Sequence, residues 1–512
     1  MRSKVIAHNS FLTAVDILLY LAGSLVTVVL VARVMGPIKL GYYAYVMWII
    51  QVANVVGVFG VPAATRKYVA EFLGKGDVAT TKALVRTTFR LQLVSSSVLV
   101  TMGIAIALTI LPPEHRGYTV LALLSLLPAM LLAIPGNVNS AIEDFASNVY
   151  PSIVSQVVNF VGVVLTLWLK WDLVGLSGSM LLSRSVDFGL RYYLFQRRFP
   201  KYLKARFGEV PPAADALPAE LRTRMVRFCW QATGLLALNL VVWDRSEIFF
   251  LKHFCEISQV AFYSMSFGVM KALANLPDSF ARAAGASLMA QHGLDPEPLP
   301  SLTATILRFQ ALIVLPLALG MAALSSPFVN FFYGHKYQPA VPVLTIVALF
   351  SVSSALISVV NQLFIASDQQ GILLKWGIIT GILNLILDWW WIPSKGAIGA
   401  ALANGVAQLV GGVGIWAFAV RQFTIPLPWQ ALLKVAFSAV AMAALVETLG
   451  HALPPAPATI LGVFTGAGMF LFLLRLTRSL DQTDRKRLMS IQRLLPRWLQ
   501  NWYALGLQMV IA

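Results

Sequence analysis

Charged side chains set inside apolar runs are the residues of this sequence that could do chemistry. Asp16, Arg184, Asp187, Asp244, Arg245, Glu247, Lys271, Asp278 and Arg282 all interrupt long stretches of apolar residues. A charge near the centre of a bilayer costs at least about 2.5–3.5 kcal/mol on insertion scales, so it normally faces a wet cavity or a partner. The chemistry on offer is therefore the holding and moving of a charged solute. Bond-breaking chemistry has no visible machinery: no loop carries a phosphate-binding glycine motif, a Ser/His/Asp set or metal-ligand spacing. No cofactor and no metal are expected. Cys229 and Cys255 flank one predicted helix, about 39 Å apart at 1.5 Å per residue, too far for a disulfide.

The charges divide by position. Arg184 and Asp187 are three residues apart on one helix face, as a neutralising pair or as lining of a cavity. Asp244 and Arg245 point about 100° apart and need different partners. Arg245 and Lys271 fall well inside predicted helices, which packing alone explains poorly, and at least one of them is expected to line a central cavity. Asp16 is a candidate cation or proton site, and Asp187, Asp244 and Glu247 are candidates for coupling or charge pairing. Lys375, Asp388 and Glu447 lie near helix ends and are expected to reach the interface by snorkelling. A set of amides, including Asn139, Gln156, Asn384, Asn404 and Gln408, could meet sugar hydroxyls or hold helices together.

The elements that position these residues are membrane helices. Of 512 residues, 58% are hydrophobic and 12% charged, about half the charge share of a soluble domain. About fourteen apolar runs reach the roughly 20 residues needed to span a bilayer as a helix. They fall roughly at 10–33, 40–62, 91–111, 118–141, 151–169, 173–195, 228–251, 260–284, 309–332, 340–366, 372–392, 397–419, 431–449 and 458–476. The fold class is an all-α polytopic membrane protein. Lys and Arg gather in 63–90, in 196–227 and in the tail, which places these segments and both termini in the cytoplasm. The net charge of +17 has this explanation, with no nucleic-acid partner.

The long basic linker divides the chain after six helices. Gly41-Tyr-Tyr-Ala-Tyr45 matches Ala261-Phe-Tyr-Ser-Met265, and Gly175-Leu-Ser-Gly-Ser-Met-Leu181 matches Gly396-Ala-Ile-Gly-Ala-Ala-Leu402, both at a shift of about 220. Two six-helix lobes related by an axis along the membrane normal follow, with two further helices. The expected organisation is an N-terminal lobe over 1–200, a cytoplasmic linker over 201–227, a C-terminal lobe over 228–425, two helices over 426–476 and a basic tail over 477–512. Leu488, Ile491, Leu495 and Trp498 make that tail amphipathic, suited to the anionic inner leaflet.

Several stretches resemble a known family. Ala32-Arg-Val-Met-Gly-Pro-Ile-Lys-Leu-Gly-Tyr-Tyr43 is similar to the start of the second helix in polysaccharide transporters. Gly60-Val-Pro-Ala-Ala-Thr-Arg-Lys-Tyr-Val-Ala-Glu71 with Gly74-Lys-Gly-Asp77, and Pro327-Phe-Val-Asn-Phe-Phe-Tyr-Gly334, resemble later stretches of that family, and Asp244-Arg245 resembles its acid–base pair. The family is that of the O-antigen-type oligosaccharide-lipid flippases, within the multidrug/oligosaccharidyl-lipid/polysaccharide exporter superfamily. Phe254-Cys-Glu-Ile-Ser-Gln259 lacks the Gly-Pro of the first copy, a departure from lobe symmetry.

The resemblance implies a two-lobe fold around a cavity. It also implies flipping of a polyprenyl-diphosphate-linked oligosaccharide across a bacterial inner membrane. A diphosphate needs cations to cross low dielectric. Arg245, Lys271 and Arg184 are the expected contacts, with Arg66 and Lys67 at the cytoplasmic mouth. Expected partners are the lipid-linked cargo, membrane lipids and the glycosyltransferases and polymerase of the same pathway. The alternatives are a peptidoglycan-precursor flippase, a cation-coupled drug antiporter and a membrane-embedded polysaccharide polymerase.

Overall fold

The computed structural model describes residues 2–242, 246–294 and 297–479, with side chains described outside 2–14, Leu18 and 238–242. All its regular structure is helical among these residues: α1 (Arg2–Val58), α2 (Val61–Gly74), α3 (Val78–Ile110), α4 (Pro113–Leu124), α5 (Leu126–Ala141), α6 (Ala146–Leu169), α7 (Asp172–Phe207), α8 (Ala219–Val242), α9 (Glu247–Phe254), α10 (Ile257–Leu294), α11 (Leu299–Phe332), α12 (Ala340–Ala366), α13 (Gln370–Phe423), α14 (Trp429–Ala452) and α15 (Pro455–Leu476), with a short 3-10 turn at His335–Tyr337. Nine spans among the described residues are long and apolar enough to cross a membrane.

The two longest elements are each a pair of helices. α1 breaks at Gly36 (φ 77°, ψ 176°) and α13 at Gly396 (φ 56°, ψ −133°). Both sit in the positive-φ region that glycine enters without steric cost, and Pro37 then starts the second helix of α1. Each break falls between two apolar runs read from the sequence. The expected helix at 118–141 is instead α4 and α5, meeting at Ser125. Pro128 explains this, since it has no N–H for the Leu124 carbonyl and its ring crowds that turn. The expected helix at 228–251 is replaced by α8 and α9. Trp243, Asp244 and Arg245 between them lie outside the described residues, as do residues 480–512 of the tail.

The chain forms two compact units, Met1–Arg245 and Ser246–Ala512. The boundary falls after α8, a helix that the sequence pattern assigns to the second lobe. Packing gives the reason. Leu221, Met225 and Cys229 of α8 are buried in one core with Val61, Tyr68 and Leu73 of α2, Leu84 of α3 and Phe195, Phe199 and Leu203 of α7. That core also carries α7 past residue 195 to Phe207. Arg224 adds an ion pair to Glu71 (Nη2–Oε2 3.1 Å), and Lys67 lies 4.6 Å above the Phe228 ring.

In the second unit α12 packs against α10, α11 and α13. α14 and α15 pack on α11 through Leu324, Val435, Ala439, Met442, Val446 and Phe470. The second helix of α13 is seated closely because its contact face is glycine. A Cβ at Gly405 would meet the Phe350 ring at 2.3 Å, and one at Gly399 would meet the Trp391 carbonyl oxygen at 2.4 Å. Small residues permit this approach between membrane helices.

Candidate substrate and coupling sites

In the first unit, the helices after α4 carry polar groups that answer one another. Asp187 does not pair with Arg184. One turn further along α7, Arg191 donates Nε and Nη2 to Asp187 Oδ1 at 3.0 and 2.8 Å, and Nη2 to Oδ2 at 3.0 Å. The reach is better at four residues than at three in this geometry, and Arg191 is seated over Gly136, where a Cβ would meet its Nη1 at 3.0 Å. Arg191 was not singled out in the sequence, because the predicted helix ended only four residues after it. The signal was present as an Asp–Arg spacing of four.

Arg184 is left with a different kind of partner. Its Nη1 donates to Ser125 Oγ at 3.0 Å, and Ser125 in turn donates to the Ala122 carbonyl at 2.6 Å. Tyr43 and Tyr20 lie in its electrostatic neighbourhood. Among the described residues no carboxylate lies within salt-bridge distance of Arg184. It is thus a half-buried guanidinium in an apolar bundle, held by a neutral hydroxyl at the α4–α5 break. Such a cation lacks compensation unless an anion arrives.

Asp16 accepts from Ser152 Oγ and from Gln156 Nε2, each at 2.8 Å and both on Oδ1, so α6 holds it without a cation. Nearby amides are spent on structure. Asn148 bridges the Gly136 carbonyl (2.9 Å) and Asn139 (3.0 Å), and Asn137 bonds its own helix at Ala133. Of the amides read from the sequence, Asn137, Asn139 and Gln156 are thus engaged in bonding within this unit.

The second unit holds a cluster that the sequence reading divided wrongly. Glu247 and Asp388 are both fully buried, at 0% exposure. Asp388 does not snorkel to the interface. α9 and the second helix of α13 cover it. Asn384 donates from one Nδ2 to Glu247 Oε1 at 3.1 Å, to Asp388 Oδ2 at 3.2 Å and to Ser246 Oγ at 3.3 Å. Asn404 donates to the same Glu247 oxygen at 2.7 Å, and Gln408 donates to Asn404 Oδ1 at 2.6 Å. Tyr263 lies in the electrostatic neighbourhood of Glu247. Two carboxylates thus share an amide nitrogen, and their hydrogen-bond partners among the described residues are neutral. Buried charges of one sign cannot both persist without a proton or a cation. The chemical signal for this site was a helical spacing, Asn384 to Asp388, facing Asn404 to Gln408.

The other expected contacts lie on separate elements. Arg245 and Asp244 lie outside the described residues. Lys271 is exposed on α10 of the second unit, and Arg66 and Lys67 are exposed on α2 of the first, with Lys67 packed over Phe228. Both cysteines are free, and no group of metal-ligating side chains forms among the described residues.

The geometry is that of a multi-pass membrane protein with charged side chains set inside its helix bundles. A family model for polysaccharide biosynthesis proteins matches residues 30–342, and the chain belongs to that family. A second family model, for the lipid II flippase MurJ, matches residues 287–457. Among solved structures the chain is similar to a lipid II flippase MurJ in an inward closed conformation, at 15% identity and a TM-score of 0.71, over 92% of this chain and 98% of that one. It is also similar to an inward-facing multidrug resistance MATE family transporter of the MOP superfamily, at 14% identity and a TM-score of 0.62, over 80% of this chain and 95% of that one. A MATE transporter from Vibrio cholerae gives 14% identity and a TM-score of 0.57, over 82% and 97%. At these identities the likeness establishes the fold. No curated protein sequence matches the chain.

Proposed function

We propose that the protein is a flippase that carries a polyprenyl-diphosphate-linked oligosaccharide from the inner to the outer leaflet of a bacterial inner membrane. Its two units alternate access to the two sides, with both termini in the cytoplasm. The observation that carries this reading is Arg184, a half-buried guanidinium among membrane helices whose hydrogen-bond partner is neutral and which has no carboxylate within salt-bridge distance among the described residues. A headgroup with two phosphates supplies the missing anion and matches a guanidinium in geometry. The family membership supports a place in polysaccharide assembly. The flippase among the structural relatives supports a lipid-linked cargo.

The cargo's movement is coupled to a proton or sodium gradient through Glu247 and Asp388, two buried carboxylates that share one amide and are suited to take up one positive charge. Asp16 offers a second, simpler carboxylate in the first unit. Glycosyltransferases and a polymerase of the same pathway are the proposed partners. An enzymatic polymerase reading is not favoured, because among the described residues these charges pair with one another or with neutral amides and hydroxyls and do not form a nucleophile with its base.

The test is reconstitution. Purified protein in liposomes should expose a polyprenyl-diphosphate oligosaccharide to an external lectin or glycosidase faster than protein-free liposomes do. Exposure at the protein-free rate under every imposed gradient would refute the reading.

A further inference from the structure

The segment that links α7 to α8 is the longest polar connection in the sequence and reads there as a tether between lobes. The structure shows it fastened along its length. Gly208 ends α7 in the left-handed region (φ 74°) and turns the chain back. Lys82 and Arg86, one turn apart on α3, then reach across. Lys82 Nζ donates to the Pro211 carbonyl at 2.7 Å, and Arg86 Nη2 donates to the carbonyls of Ala214 and Asp215 at 3.1 and 3.3 Å. The Ala214 N–H donates to the Ala79 carbonyl at 3.1 Å. Val210 and Leu217 pack on the core that also holds α2, α3, α7 and α8. Thus carbonyls that lack a helix or strand partner are met by two cations, and both ends of the segment are pinned by apolar contacts.

We propose that residues 208–218 form a strap that stays docked on α3 throughout the transport cycle and makes α8 a fixed part of the first unit. The long linker then gives the two units no freedom, and the relative movement that alternating access requires is taken up elsewhere in the chain. Three separate ties on one helix, plus the Glu71–Arg224 pair at the start of α8, make undocking a concerted event. The docking itself does not depend on the identity of the cargo; only its consequence for transport rests on the function proposed above.

Two measurements test this. In full-length protein in nanodiscs, the 208–218 amides should show the same hydrogen-exchange protection with and without polyprenyl-diphosphate oligosaccharide. Exchange of Ala214 should be at least tenfold faster in Lys82→Met/Arg86→Met. In a Cys229→Ala/Cys255→Ala background, Ala79→Cys/Ala214→Cys joined by a short bismaleimide should flip cargo within twofold of the uncrosslinked protein. Strap amides that exchange at the rate of an unstructured peptide, or that lose protection when cargo is added, would overturn the proposal. So would a crosslink that stops transport. The exchange measurement stands even where liposome transport fails, so failure of the strap and failure of the flippase reading are separable.

Discussion

Replacing Asp388 with Asn should leave the protein at least as stable while uncoupling it. The Asn384 amide nitrogen lies 3.1 Å from a Glu247 oxygen and 3.2 Å from an Asp388 oxygen, so these two oxygens are no more than about 6 Å apart. Two ionised carboxylates at that distance repel by about 3 kcal/mol at an effective dielectric of ~20. A proton or a bound cation relieves this in the native protein. Asp388→Asn relieves it permanently, with the same shape and an acceptor oxygen still available to Asn384. The expected change in folding free energy lies between about zero and 2 kcal/mol of stabilisation, the usual range when functional strain is removed. Gradient-driven flipping in proteoliposomes should fall at least tenfold, while binding of the lipid-linked cargo should persist. Thermal unfolding in nanodiscs and a lectin-accessibility assay under an imposed proton or sodium gradient read the two effects. Full gradient-driven flipping by Asp388→Asn would refute the argument. So would a loss of several kcal/mol in stability, which would assign the carboxylate a structural partner.

Other sites give independent outcomes. Asp187→Asn should destabilise the first unit by about 3–5 kcal/mol, because it strands Arg191 without its carboxylate, and adding Arg191→Gln should recover much of the loss by a double-mutant cycle in thermal unfolding. Gly399→Ala should cost roughly 1–3 kcal/mol or more, since its Cβ meets a backbone oxygen at 2.4 Å that no rotamer change can move, and reduced yield of folded protein in detergent would read it. Hydrogen bonding to Lys75 first, and then to Arg224, holds the Glu71 carboxyl below its usual range. Its contribution is therefore complete above the ordinary carboxylate value and is lost as pH falls through the lowered one. As pH falls below that lowered value wild type and Glu71→Gln should converge in unfolding temperature, with wild type the more stable at neutral pH.

Much of the architecture was legible because lipid imposes a simple rule on length and hydropathy. Both unbroken helix pairs are divided near the places where Gly36-Pro37 and Gly396 punctuate the apolar pattern. The periods failed where packing overrode them. α7 runs on to Phe207 because Phe195, Phe199 and Leu203 find a core there, and α8 joins the first unit through that same core. Sequence distance hid the sites in a different way. Asp388 sits close enough to a predicted helix end to suggest an interface position, and only the fold shows α9 closing over it. Arg184 was visible as a cation inside an apolar run, yet its partner Ser125 lies 59 residues away and carries no charge to attract notice. Arg191 reversed the pairing expected for Asp187, since both alternatives share one helix face and only tertiary seating over Gly136 selects between them.

The claim on which the rest depends is that Arg184 waits for an anionic headgroup. Equilibrium binding of a polyprenyl diphosphate to purified wild-type and Arg184→Gln protein, in matched nanodiscs of neutral lipid, tests it most directly. A charge-assisted hydrogen bond contributes about 1.5–3 kcal/mol, so affinity should fall roughly 10- to 150-fold in Arg184→Gln, with Arg184→Lys between the two. Equal affinity of wild type and Arg184→Gln would contradict the account.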